Sequence, residues 1–266
     1  MSLKRDESGR RWIEVETEVP GTPEEVWEAI ATGPGVSSWF VPTEVREDGT
    51  VVANFGPGME SVAKRTAWEP PRRFAAESEG LGPGAPKLAT EWIVEARAGG
   101  RCVVRVIHSL FASTDDWDDQ LESIEGGWPA FFRNLRLYLT HFKGQFGASI
   151  QAMGTAAEPA SEAWAALTGA LGIAGAVETG RVKSAAGAPI VEGVVERVGP
   201  PEHPELLVRL EEPAPGIAHL FAMPMGGQVY LAVHLYLFGR DAPAAAAREE
   251  SVWAAWMSER FPVPAG

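Results

Sequence analysis

The chain has 266 residues, 45% hydrophobic and 22% charged, a composition typical of a globular protein with one large or two ordinary domains. The formal net charge of −13, with no cluster of lysines or arginines, argues against a nucleic-acid partner and against adsorption to anionic lipid. Cys102 stands alone, which excludes an internal disulfide and a cysteine metal cluster, and no apolar run is long enough to insert into a membrane. The polar N-terminal residues do not resemble a secretory signal, so we expect a soluble, cytoplasmic protein. We also expect the protein to use neither a metal nor a cofactor.

The first predicted element is a strand over 10–20, "RRWIEVETEVP". Apolar or β-branched residues alternate with charged ones, so Ile13, Val15, Thr17 and Val19 share one face. This period of two is typical of a strand that buries one side.

A helix should follow in "TPEEVWEAI". Thr22 can cap it, Pro23 suits its first position, and Glu25 lies three residues after the cap, where it completes a capping box. The "GPG" triplet over 33–35 is expected to end this helical region. Two further triplets, over 56–58 and 82–84, are expected to form turns.

Five strand-like segments follow at the spacing of antiparallel hairpins. They are "TVVANF", "ESVAKRTAW", "RRFAAESE", "ATEWIVEARA" and "RCVVRVIHSLF". Alternation predicts which side chains face the interior. With Arg101 and Arg105 facing water, the inward set of the last strand is Cys102, Val104, Val106, His108 and Leu110. The same reasoning turns inward Thr90, Trp92 and Val94 on one strand and Val51, Ala53 and Phe55 on another.

A long amphipathic helix should close this part of the chain. In "GGWPAFFRNLRLYLTHF" apolar residues recur at helical spacing: Trp128, Phe131, Phe132, Leu135, Tyr138, Leu139 and Phe142. The preceding "STDDWDD" is better explained as a helix start capped by Ser113 or Thr114 than as a metal loop. A sheet curled around one such helix leaves a space between them.

The second part of the chain repeats this order. Four segments recur in the same sequence, at a separation that only shrinks along the chain, as loop deletions in a second copy would produce. The pairs are Trp27 with Trp164, Pro70-Pro71 with Pro200-Pro201, 102–111 with 229–238, and Trp128 with Trp253. We therefore predict two domains, residues 1–145 and 146–266, arising from a tandem duplication.

The segments "TPEEVWEAI", "SSWFVPTEV", "TAWEPPRRF" and "EGGWPAFFRNLRLYL" resemble the SRPBCC or START-like superfamily. Within it they are most similar to the branch related to the C-terminal domain of the heat-shock-protein ATPase activator, in which Gly-Trp opens the last helix. The resemblance covers most of residues 10–143. It implies a helix-grip fold with an apolar cavity that often binds a ligand, and it implies no single activity.

The predicted fold class is therefore α+β, with two tandem helix-grip domains, each a curved antiparallel sheet wrapped around a long C-terminal helix. The second copy departs from the pattern, because it lacks a "SSWF" equivalent, lacks the threonine cap and has a shorter final helix. We expect it to be degenerate as a binding domain.

His108 is the strongest candidate for a functional residue in the predicted cavity. Its imidazole could hydrogen-bond a ligand oxygen or act as a general acid or base, but a core histidine satisfied by a neighbour explains it as well. At the aligned position the second copy has Leu235, and His234 falls on the opposite face. Cys102 has no adjacent histidine and is interpreted as a small core residue.

The sequence thus predicts a protein that binds a small hydrophobic molecule in its first domain, without catalysis, nucleic acid, membrane insertion, metal or cofactor. The predicted ligand-binding residues are Trp39, Phe40, Phe55, Trp92, Val106, His108, Trp128 and Phe132. One alternative is an enzyme similar to polyketide aromatases and cyclases that uses His108. The other is a protein-interaction module similar to the chaperone activator, in which the cavity is only core.

Overall fold

The computed structural model describes residues 3–56, 60–79, 86–112, 116–157, 159–225 and 227–263. The chain folds as two compact units, Met1–Gly144 and Gln145–Gly266. In the described part of the chain, no helix has the length and apolar character needed to cross a membrane. The predicted turn over 82–84 and the candidate caps Ser113 and Thr114 lie outside the described residues, as does most of the triplet over 56–58.

The first unit is an antiparallel sheet followed by a long helix. Its elements are β1 (Lys4–Arg5), β2 (Arg10–Pro20), α1 (Pro23–Ala31), α2 (Gly33–Ser37), β3 (Thr43–Val45), β4 (Thr50–Asn54), β5 (Glu60–Glu69), β6 (Arg73–Ser78), β7 (Leu88–Arg97), β8 (Arg101–Phe111) and α3 (Asp118–His141). The sheet has eight strands in the order β1-β2-β8-β7-β6-β5-β4-β3. The first long strand therefore pairs with the last, and β3 to β8 form a meander that extends from β8 away from β2.

The start of α1 confirms the predicted capping box. The Thr22 hydroxyl accepts a hydrogen bond from the Glu25 backbone N–H at 3.3 Å, and the Glu25 carboxylate accepts one from the Thr22 N–H at 3.0 Å. These reciprocal bonds satisfy backbone donors that the first turn of a helix leaves without partners.

The prediction that the triplet over 33–35 ends the helical region is wrong. These residues begin the short helix α2, because the Thr32 side chain caps it by accepting from the Gly35 N–H at 3.0 Å and Pro34 fits a first turn. Gly35 is required for packing rather than for a turn, since a Cβ there would lie 2.0 Å from the Glu28 carbonyl oxygen.

Helix α3 begins at Asp118, within the segment "STDDWDD" that the sequence predicts as a helix start, so Trp128 lies well inside the helix rather than at its opening. The reason is a polar anchor at its first residue. The Asp118 carboxylate accepts hydrogen bonds from Arg11 at 2.7 and 2.9 Å and pairs with Arg5. Leu121 then packs in an apolar cluster with Ile13 and Leu110. These contacts hold the first turns despite the glycines that follow.

A β-bulge in β5 changes which side chains face the interior. Arg65 pairs with Ala76 and Ala67 with Ala75, so Thr66 is an extra residue in the strand. Before the bulge, odd-numbered residues such as Ala63 face inward. After it, Trp68 pairs with Phe74 and turns inward instead.

The second unit repeats this topology with fewer strands. Its elements are β9 (Ala148–Ala156), α4 (Ala160–Leu171), β10 (Arg181–Lys183), β11 (Glu192–Val198), β12 (Glu205–Glu212), β13 (Gly216–Met225), β14 (Gln228–Leu237) and α5 (Ala242–Arg260). The sheet has six strands in the order β10-β11-β12-β13-β14-β9, and α5 packs against β9 and β14. Each unit is therefore a sheet with a terminal helix, which confirms the predicted α+β fold of two tandem helix-grip domains.

Candidate ligand-binding site

Most of the predicted ligand-binding residues meet in one buried aromatic cluster of the first unit. The buried members are Trp39, Trp92, Val106, His108, Trp128 and Phe132. The Trp92 ring lies edge-on to three others, with centroid distances of 5.2 Å to Trp128, 6.3 Å to Phe132 and 6.3 Å to Trp39. Val106 is the cross-strand partner of Trp92. These side chains form the wall of the interior rather than an open surface.

Both ring nitrogens of His108 have protein partners. The Trp128 indole N–H donates to His108 Nε2 at 2.8 Å, and Thr90 Oγ1 lies 3.0 Å from Nδ1. Because an indole N–H can only donate, Nε2 must be unprotonated, so the proton sits on Nδ1 and is donated to Thr90. Burial lowers the pKa of His108 to about 4, which keeps the ring neutral. The geometry is that of a core histidine satisfied by its neighbours.

Trp39 fixes the segment that follows α2. Its indole N–H donates to the Ala29 carbonyl near the end of α1 at 2.9 Å, and its own carbonyl accepts from the Asn134 side chain at 3.3 Å. The fully buried ring therefore links α1 to α3 and positions the next residue, Phe40.

Phe40 and Phe55 lie at the margin of the cluster. The half-buried Phe40 ring contacts Phe131 at 4.6 Å, Trp128 at 5.3 Å and Phe55 at 5.7 Å between centroids. Phe55 is 40% exposed and its ring lies against Phe40, so it borders the buried cluster rather than lying within it. Strand β4 ends at Asn54 and Gly56 adopts a φ of 136°, so Phe55 lies just beyond the strand that carries Val51 and Ala53.

Sequence reasoning missed a second aromatic group, beside the first. The Trp27 ring packs edge-on against Trp68 at 4.9 Å and against Phe74 at 5.6 Å, and Phe74 stacks on Trp92 at 6.0 Å. Simple alternation places Trp68 on the outer face with Val62 and Lys64. The bulge at Thr66 reverses this, and nothing in the local sequence marks that bulge.

The inner face of β4 and β5 carries small, half-buried side chains: Val51, Ala53, Ser61 and Ala63. Helix α3 runs close to β2, and β8, β7 and β6 lie between β2 and β5. At about 4.8 Å per strand, β5 is about 19 Å from β2. A helix is about 10 Å wide, so α3 covers the β2 side and leaves this far side less covered. We call the inner face of β4 and β5, with the bordering rings of Phe40 and Phe55, the cleft.

The equivalent position in the second unit is apolar. Leu235 pairs with Ile150 as His108 pairs with Ile13, and Leu235 lies in the buried core. The aligned Trp253 is fully buried, and its indole N–H has no hydrogen-bond partner among the described residues. His234 falls on the other face of β14, as predicted, where it pairs with His219. Burial first, and then the charge of His219, lowers the pKa of His234 to about 3.

Other chemistry is poorly supported in the described residues. Cys102 is buried, its Sγ lies 3.4 Å from the Gly21 carbonyl, and burial raises the pKa of its thiol, which makes it a weak nucleophile. Among these residues, no group of three or more His, Cys, Asp or Glu side chains could hold a metal ion.

A separate surface pocket of about 320 Å³ lies between the start of β8 and the end of α3. Arg101 is already paired with Glu18 there, and the Arg136 guanidinium donates to the Thr17 hydroxyl at 3.0 Å. Four of the six residues that line the pocket are polar or charged, and none of the six is aromatic. It suits an apolar ligand less well than the cleft does.

No protein-family model and no curated protein matches the sequence. Among solved structures, the chain is similar to CalU16 from Micromonospora echinospora, with 19% identity over 51% of this chain and 79% of that chain and a TM-score of 0.41. It is similar to the di-domain ARO/CYC BexL of the BE-7585A biosynthetic pathway, with 15% identity, 96% and 100% coverage and a TM-score of 0.45. It is also similar to the Aha1 dimer from Colwellia psychrerythraea, with 21% identity, 50% and 98% coverage and a TM-score of 0.40. Similarities at these values carry no argument about function, and the fold stands on the sheets and helices of this chain.

Proposed function

We propose that the protein is a cytoplasmic ligand-binding protein that holds a small apolar molecule in the cleft of its first unit, without catalysis. The observation that carries this proposal is the half-buried inner face of β4 and β5, lined by Val51, Ala53, Ser61 and Ala63. Short side chains on one wall and the Phe40 and Phe55 rings at the margin are suited to a flat apolar molecule.

A polar group at the edge of such a site orients the ligand. Thr90 is half-buried on the inner face and accepts the Nδ1 proton of His108. Its own hydroxyl proton is then free to be donated, since the described residues offer it no acceptor. We propose that His108 contributes to binding through Thr90 rather than by contact with the ligand.

The cyclase-like alternative needs an imidazole that exchanges a proton with a substrate. A general acid or base must come within hydrogen-bond reach of the reacting group, and its pKa should lie near the working pH. His108 uses both nitrogens inside the protein, and burial keeps its pKa at about 4. These contacts favour a binding protein over an enzyme that uses His108.

The activator-like alternative needs a continuous exposed apolar surface. Val62 and Trp68 are both exposed, but the bulge between them directs these side chains to opposite faces of β5. This separation favours a small ligand over a partner protein at β5.

We further propose that the chain arose by duplication within the SRPBCC or START-like superfamily. The repeated sheet order supports this, and so does the shared register of Ile13 with His108 and of Ile150 with Leu235. Because Leu235 leaves the second interior without an inward histidine, we place ligand binding in the first unit alone.

The test is titration with N-phenyl-1-naphthylamine, an uncharged fluorophore that brightens in apolar sites. We expect saturable binding to the wild type. Ala63→Leu fills the half-buried inner face and should weaken binding by at least tenfold, whereas Val62→Leu enlarges the neighbouring outward residue and should change it by less than twofold. Absence of saturable binding, or equal effects of the two variants, would contradict the proposal.

A further inference from the structure

The inner face of the first sheet carries a cation that no carboxylate neutralises within the described residues. Arg65 pairs with Ala76, which lies in the same cross-strand row as Thr90 and His108. Arg65 therefore lies on the inner face of β5, where it is the next inward-facing residue after Ala63. The side chain is half-buried, so its charge is only partly solvated.

Arg65 is packed against Trp68 and Gly49, but neither residue accepts a hydrogen bond from its guanidinium group. Its Cζ lies 4.5 Å from the centre of the Trp68 ring, a cation–π contact that attracts the group but uses none of its N–H donors. A Cβ added at Gly49 would come within 3.3 Å of Arg65 Nε, so the glycine leaves room for the side chain. No ion pair or side-chain hydrogen bond joins Arg65 to any of the described residues.

Other inward arginines of the sheet show how this fold compensates such a charge. Arg11 is buried and makes two hydrogen bonds to the Asp118 carboxylate, and Arg5 pairs with the same group. Lys64, adjacent to Arg65 but on the outer face, pairs with Asp48 at 2.9 Å. Arg65 is thus a half-buried cation beside an apolar cleft, in a protein whose net charge is −13.

We propose that the ligand of the cleft is an apolar carboxylic acid whose carboxylate binds Arg65. This inference rests on the proposed function and names the chemical class of its ligand. The planar guanidinium offers two parallel N–H donors that match a carboxylate. A single cation suits a monoanion better than a phosphate dianion. The length of β5 from Ser61 to Arg65 is about 13 Å, which fits an apolar body of two or three fused rings.

The experiment is displacement of bound N-phenyl-1-naphthylamine by 2-naphthoate and by 2-naphthamide. The two competitors share a ring system and differ in charge. We expect naphthoate to bind the wild type at least tenfold more tightly than naphthamide. Arg65→Gln should abolish this preference while leaving naphthamide affinity within twofold. Arg65→Lys, which keeps the charge but loses the paired donors, should retain part of the preference.

Lys64→Gln is the matched control, since it removes the same charge from the neighbouring residue on the outer face. It should leave the preference unchanged. The inference is overturned if the wild type binds both competitors equally, or if the two glutamine variants lose the preference to the same extent. Failure of the uncharged fluorophore to bind the wild type would instead overturn the proposed function, so the two failures are distinguishable.

Discussion

At the scale of single residues, the interior of the first unit is defined by one histidine. Strand alternation was sufficient to place His108 on the inner face, because its strand has charged residues at alternate positions. Alternation gives the face on which a side chain lies, but it gives neither the register between neighbouring strands nor the packing of a helix on the sheet. The contacts with Thr90 and Trp128 therefore came only from the structure, and they assign the proton to Nδ1.

We predict that His108 stays neutral in the folded protein well below neutral pH. A histidine in an unfolded chain has a pKa of about 6.5. Burial lowers the pKa of His108 to about 4, so between these values the unfolded chain binds the proton and the folded one does not. The free energy of unfolding should therefore fall as the pH falls through this window, by about 1.4 kcal/mol per pH unit for this group.

The pKa of His108 can be measured directly by following the NMR chemical shifts of its imidazole ring as a function of pH. We expect an Nδ1–H tautomer of His108 with a pKa of about 4. His108→Gln, which lacks the titrating group but keeps an oxygen acceptor for Trp128, should show a shallower loss of stability between pH 6.5 and 4.5. A midpoint near 6.5 would refute the buried, hydrogen-bonded imidazole.

At the scale of elements, most helices and strands of the first unit were predictable from period and capping. The exceptions share a cause. The bulge at Thr66 and the short helix α2 each depend on a contact between segments far apart or on backbone packing. A bulge leaves no periodic signal of its own, so the inward placement of Trp68 and Arg65 could not be derived from the sequence.

The two terminal helices offer a matched pair of substitutions. Trp128 donates its indole N–H to His108 at 2.8 Å, whereas the aligned Trp253 is buried without an acceptor among the described residues. Trp128→Phe would leave the Nε2 atom of His108 buried without a donor, which costs about 1–3 kcal/mol. Trp253→Phe removes an unsatisfied N–H, so its cost should be smaller.

Denaturant unfolding of both variants tests this comparison. Because the two changes remove the same atoms, the loss of apolar contact is similar and the difference reports the hydrogen bond. We expect the Trp128 variant to lose at least about 1 kcal/mol more than the Trp253 variant. An equal or larger loss for Trp253→Phe would show that the hydrogen bond to His108 does not stabilise the first unit.

At the scale of the whole molecule, the chain uses one topology twice with different interiors. The first unit has the eight-stranded sheet, a helix of 24 residues and a histidine with polar partners. The second has six strands, a helix of 19 residues and an apolar core around Leu235. The order of segments in the sequence predicted the repeat of the fold. The cleft exists because the sheet is wider than one helix can cover. Local sequence patterns do not predict that width.

We propose that an apolar carboxylic acid occupies the inner face of β4 and β5 in the first unit. Photocrosslinking of the full chain with a diazirine-bearing benzoate, followed by mass spectrometry of the peptides, locates the site directly. We expect labelling within residues 50–68 that an excess of 2-naphthoate prevents. Labelling confined to residues 148–261, or labelling that 2-naphthoate does not reduce, would contradict this proposal.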